Sequence, residues 1–83
     1  MDFDVDEVNE LIDMLEVIVE DVPSKIREDL GKVIKSLKQA QTLDDLLKVQ
    51  DELESLTSTH NLDSFSRSEI MNVVTSIESI VNS

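Results

Sequence analysis

Arg27-Glu28-Asp29-Leu30-Gly31-Lys32-Val33-Ile34-Lys35-Ser36-Leu37 decides the fold, because its pattern returns as Arg67-Ser68-Glu69-Ile70-Met71-Asn72-Val73-Val74-Thr75-Ser76-Ile77. Arg27, Leu30, Val33, Ile34 and Leu37 reappear 40 positions on as Arg67, Ile70, Val73, Val74 and Ile77. Toward the N-terminus, Val5, Val8, Leu11, Leu15 and Ile18 reappear 38 positions on as Leu43, Leu46, Val49, Leu53 and Leu56. A two-residue slip in the connecting loop accounts for the difference. Apolar residues spaced three and four apart mark helices with one buried face. The chain therefore reads as two tandem helical hairpins, about 5–40 and 42–82, within one domain spanning residues 1–83.

The first helix is expected from about Asp4 or Val5 to Asp21, with Asp4 and Asp6 where unpaired N–H groups and the helix dipole favour acids. Its apolar set is Val8, Leu11, Ile12, Met14, Leu15, Ile18, Val19 and Val22. That stripe covers about 160°, wider than the ~100° face of a surface helix. A central place in a small bundle explains the width; so does contact with another subunit. Val17 falls outside the stripe. Pro23 is expected as the first residue of helix 2, where proline loses no needed hydrogen bond, and helix 2 extends to about Gln39. Gly31 inside it either admits a neighbouring backbone or is a tolerated defect. Thr42 is placed to cap helix 3, with Asp45 reaching back. That helix continues on Leu43, Leu46, Leu47, Val49, Leu53 and Leu56, before a polar loop at Thr57-Ser58-Thr59-His60-Asn61. Ser66 and Glu69 spell an S-x-x-E capping box, with Phe65 and Ile70 in the positions of a hydrophobic staple. Helix 4 follows on Ile70, Val73, Val74, Ile77, Ile80 and Val81. Short connections between such helices predict an all-α, four-helix up-and-down bundle. An open solenoid needs three or more repeats to bury its faces.

The core must be aliphatic, since Phe3 and Phe65 are the only aromatic residues. The absence of Cys removes disulfides, thiolate metal sites and cysteine nucleophiles. The acidic start Met1-Asp2-Phe3-Asp4-Val5-Asp6 lacks the cationic and apolar regions of a secretory signal, and no segment has the apolar length of a membrane span. A cytoplasmic location and no membrane association are expected. The net charge is −12. Residues 1–22 hold nine acids and no base, whereas residues 23–40 hold Lys25, Arg27, Lys32, Lys35 and Lys38 against Glu28 and Asp29. Such a field repels phosphate backbones, so nucleic acid is disfavoured as a general partner and a cationic protein is more natural. Solubility is the ordinary alternative use of an acidic surface.

No catalytic, cofactor or metal site is expected. Asp6, Glu10, Asp13 and Glu20, with Glu16 bordering them, lie opposite the apolar stripe, whereas acid–base catalysis needs carboxylates with separated pKa values in a water-poor pocket. A di-metal bundle needs Glu-x-x-His on its helices, but the single histidine, His60, has Thr at position 57. The D-x-D-x-D run at Asp2, Asp4 and Asp6 places Glu7 where a calcium loop needs glycine. One glycine cannot build a phosphate loop. None of the serines has a nucleophile-elbow context, and His60 reads as a loop residue.

The candidate partner-binding face is Lys25, Lys32, Lys35 and Lys38, directed away from the apolar side of helix 2. Its ordinary alternative is a solvated face with Glu28 and Lys32 paired along the helix. The candidate self-association face is Asn72, Thr75, Ser76 and Ser79 on helix 4, where small polar residues permit close packing of a two-fold contact. Arg27 and Arg67, early in their helices, are expected to tie the preceding loops through carbonyls or carboxylates.

Glu20-Asp21-Val22-Pro23-Ser24-Lys25-Ile26-Arg27 resembles the loop-and-helix signature of an uncharacterised archaeal family of short helical proteins. Leu62-Asp63 through Arg67, followed by Asn72-Val73-Val74-Thr75-Ser76-Ile77-Glu78, resembles that family's second repeat. The likeness extends from about Leu11 to Ile80. It departs at Ser24-Lys25, where the family more often has Arg and Asn. It departs also at Phe65, where proline is expected, and at Met71, where an aromatic is usual. The resemblance implies a four-helix bundle of archaeal cytoplasmic origin and implies no activity. The function expected from the residues is a non-enzymatic protein–protein interaction module, using the helix 2 face or a groove between the hairpins. The alternatives are a homo-oligomeric assembly unit, including a homodimer, built on helix 1 or helix 4, and an accessory factor of a ribonucleoprotein.

Overall fold

The computed structural model describes residues 3–82. Within them lie four helices, α1 (Val5–Asp21), α2 (Ser24–Lys38), α3 (Leu43–Thr59) and α4 (Ser64–Asn82), and no strand. Connections of two to four residues leave each helix no choice but to turn back along its predecessor. α1 packs on α2, α2 on α3, α3 on α4, and α4 closes on α1. The result is an up-and-down four-helix bundle measuring 34 × 19 × 17 Å.

Helices α1, α3 and α4 start where a side chain accepts from unpaired N–H groups, whereas α2 starts after Pro23 with no side-chain cap. The Asp6 amide donates to Asp4 Oδ1 at 3.0 Å at the start of α1. At α3 the Asp45 amide donates to Thr42 Oγ1 at 3.2 Å, while the Gln41 and Thr42 amides donate to Asp45 Oδ2 at 3.0 and 3.2 Å. Those amides, Gln41 first, hold the Asp45 carboxyl below its ordinary value against partial desolvation, with Lys48 adding attraction. Pro23 stands one residue earlier than expected, as the N-cap of α2. Its carbonyl accepts the Arg27 amide at 2.9 Å.

Two expectations at the start of α4 are corrected. The cap is Asp63 rather than Ser66: the Ser66 amide donates to Asp63 Oδ1 at 2.9 Å. The Ser66 hydroxyl, then the amide, pull the Asp63 carboxyl below its ordinary value, against some desolvation. An aspartate three residues upstream offers a stronger acceptor than the serine hydroxyl and starts the helix a turn sooner. Ser66 instead points inward at 5% exposure, and Phe65 stands in solvent rather than stapling to the buried Ile70. The polar loop at 57–61 is also shorter than expected, because α3 continues through Thr59, with Thr57 Oγ1 donating back to the Glu54 carbonyl at 2.8 Å.

The core is aliphatic and drawn from all four helices: Leu15, Leu30, Leu37, Leu46, Val49, Leu53, Ile70, Val73 and Ile77 are essentially sealed from solvent. Fully burying one such side chain contributes about 1.5–3 kcal/mol. The repeat governs this packing. Residues 21–39 and 61–79 show the same succession of buried, half-buried and exposed positions throughout. Gly31 does not serve a close approach, since a Cβ built on it meets nothing within 4 Å.

Candidate functional site

The hairpin α1–α2 meets the hairpin α3–α4 along two seams, α2 against α3 and α1 against α4. The sequence repeat relates one seam to the other, so each position in one has a counterpart 38 or 40 residues away. Both seams open to solvent as grooves, and their chemistry differs.

The α2–α3 cleft, about 400 Å³, has Asp29, Lys32, Asp51, Glu52, Ser55 and His60 in its wall above Val33 and Leu56. His60, the C-cap of α3, is tied to α2 by its Nε2, 2.8 Å from Asp29 Oδ2. Thirty-one residues of chain separate this pair, so linear spacing gave no sign of it. Ser55 and Thr59 line the same cleft, but among the described residues neither hydroxyl is hydrogen-bonded to the ring, so the contact that activates a hydroxyl nucleophile is not made here.

The α1–α4 groove is apolar at one end, where Met14, Val17, Ile18 and Phe65 surround a cavity of about 180 Å³ between Asp21 and Glu69. Val17 and Phe65 are the most exposed large apolar side chains, at 64% and 65%. Further along the seam, Glu7 and Glu10 face Ser76 and Ser79 over a floor of Leu11 and Ile80. No Lys or Arg lines either part. In the repeat, Met14 corresponds to Glu52, Val17 to Ser55 and Phe65 to Lys25.

The four lysines do not share one environment. Lys38 turns toward α1, its Nζ 3.8 Å from Glu16 Oε1. This exposed pair is worth a few tenths of a kcal/mol, by the measure of such pairs. Lys32 stands in the α2–α3 cleft, and Lys25 and Lys35 are exposed. The Glu28–Lys32 pair is not formed among the described residues. On α4, Asn72, Thr75 and Ser79 are exposed, while Ser76 is half-buried toward α1.

Arg27 does tie down its loop. Its Nε donates to the Val19 carbonyl at 3.1 Å and its Nη2 to the Val22 carbonyl at 3.2 Å. α1 has no base in its last turn. Arg27 thus supplies from the next helix the cation that the unpaired carbonyls of a helix end attract. Arg67 makes no corresponding bond among the described residues, so the expectation holds for the first repeat alone.

A groove between the hairpins is expected from the sequence, but its lining residues are not, because Val17 reads as an outlier of the α1 stripe and Phe65 as half of a staple. The signal was nonetheless present: both are apolar where the repeat places Ser55 and Lys25. Among the described residues, no group of three or more His, Asp or Glu side chains is arranged to hold a metal ion, and no helix is long and apolar enough to cross a membrane. Compared with protein-family models, with curated proteins and with solved structures, the chain has no significant match.

Proposed function

We propose that this chain is a non-enzymatic, cytoplasmic protein–protein interaction module that receives its partner in the inter-hairpin groove between α1 and α4. The observation that carries this reading is the pairing of Val17 and Phe65, the two most exposed large apolar side chains, on opposite walls of one groove. Adjacent exposed apolar groups mark interaction sites more often than scattered ones do. The α2 lysines support a docking face less well, because Lys38 is engaged with Glu16 and Lys32 sits among the carboxylates of the other cleft. Kinship with the archaeal family of short helical proteins belongs to the same proposal and adds no activity to it.

The experiment is site-specific photo-crosslinking in native cells, with the reactive group placed at position 17 and, as a control, at position 35. The expected result is a discrete product heavier than a dimer of the chain, or of unequal subunits, from position 17 only. Self-crosslinks alone would favour a homo-oligomeric unit, and products from position 35 alone would return the site to α2.

A further inference from the structure

The two seams give an internal control on what the bundle itself requires. Met14, Val17 and Phe65 line the α1–α4 seam; their counterparts in the repeat are Glu52 and Ser55, which line the α2–α3 cleft, and the exposed Lys25. Met14 packs against the core, whereas Val17 and Phe65 stand mostly in solvent, so packing within the bundle does not account for those two.

Resting on the module reading above, we propose that the α1–α4 groove binds one amphipathic helix whose apolar stripe is flanked by Lys and Arg. The spacing of the two hollows suits a helical ligand. Together they take in α1 from Glu7 to Asp21, ~21 Å or about four helical turns. An all-α chain offers no sheet edge to an extended strand, whereas parallel ridges over an apolar floor suit the i, i+3, i+4, i+7 anchors of a helix. The cavity between Val17 and Phe65, about 180 Å³, falls below the ~300–1,000 Å³ of small-ligand sites. It has room for one large apolar side chain.

Charge selects the flanks. Asp21 and Glu69 border the apolar end, Glu7 and Glu10 the other, and no cation offsets them along the groove. The same charges oppose a second copy of the chain, since a two-fold contact through this face sets the acids Asp21, Glu69, Glu7 and Glu10 of one copy against the same acidic set of the other. Nor does α2 of another copy fit: it carries lysines, but none of the exposed large apolar residues Val5, Val17, Leu47, Phe65 and Met71 lies on it to fill the cavity. Phosphate backbones meet the same repulsion.

The test titrates the isotope-labelled full chain with synthetic helical peptides of about four turns that share one set of apolar anchors and carry Lys/Arg, Ser or Glu flanks. A further Lys/Arg peptide has its anchors replaced by Ala. The cationic amphipathic peptide is expected to shift the amide signals of Val17, Phe65 and Glu69, and to bind on the order of tenfold more weakly when salt rises to about 0.3 M. Losing its anchors weakens it on the order of tenfold or more. The double variant Val17→Ser/Phe65→Lys puts in the groove what the repeat already carries at the corresponding positions, so it retains helicity and melting temperature while losing most of the binding. Lys32→Glu/Lys35→Glu, on the opposite side, leaves binding intact. Equal, salt-independent affinity for the Ser-flanked peptide in the same groove would overturn the cationic partner and leave the module standing. If no peptide shifts Val17 and Phe65 at millimolar concentration, both readings fall. Concentration-dependent shifts of those residues without peptide would assign the groove to a second copy and overturn the proposal.

Discussion

Replacing Gly31 with Ala should make this protein measurably more stable. Gly31 lies inside α2 with helical backbone, since no residue with positive φ is found among those described. It is exposed, and an added Cβ meets nothing within 4 Å. Its counterpart, Met71, shows that even a long side chain fits at this position. Packing therefore neither gains nor loses, and the helix-interior preference for Ala over Gly remains, about 0.8–1.0 kcal/mol. Against a total of roughly 4–12 kcal/mol for a domain of this size, that is a visible fraction. It corresponds to a rise in Tm of about 3–8 °C. Urea unfolding followed by far-ultraviolet circular dichroism suits a chain lacking Trp and Tyr. The midpoint should rise by about 0.5 M with an unchanged slope. An unchanged or lowered midpoint would refute the reasoning, because it would mean that a neighbouring group already needs the space above Gly31.

The two arginines provide an asymmetric pair. Arg27→Ala removes two hydrogen bonds to the end of α1 and should cost about 1 kcal/mol, while Arg67→Ala stays within about 0.5 kcal/mol; equal losses in denaturation would show that Arg27 acts through charge alone. Leu53→Ala, at a fully sealed core position, should cost about 2–5 kcal/mol and leave a chain that thermal melting finds partly unfolded. Acid should also destabilise the caps. Asp45 and Asp63 have folded pKa values below the ordinary 3.8, so their contribution is fully present above that value and lost as pH falls through the lowered ones. Denaturation midpoints followed from neutral pH to about pH 3 should therefore fall less steeply in Asp45→Asn/Asp63→Asn than in the parent; parallel profiles would remove the caps from the acid response.

The repeat was the most legible feature of the chain, since helix packing imposes the same apolar spacing wherever it occurs. Leu30 and Ile70, and Leu15 and Leu53, are sealed as their correspondence requires. Caps were legible where a local side chain stood alone, as at Thr42 with Asp45, and misread where two candidates competed, as at Asp63 and Ser66. A capping signal fixes a helix start only to within a turn, and the stronger acceptor takes it.

The helical class, the two-hairpin order, the aliphatic core and the uneven charge are readable from the residues, because each follows from composition or from spacing within a single helix. Which faces meet emerges only when the helices pack. Packing joins His60 to Asp29, turns Lys38 onto Glu16, and brings Val17 of α1 beside Phe65 of α4. The last two residues are 48 positions apart in the chain. A helical period records how far a residue is rotated about its own axis, but not which neighbouring helix stands at that angle. Closure of α4 on α1 supplies that neighbour and turns two isolated apolar residues into one groove.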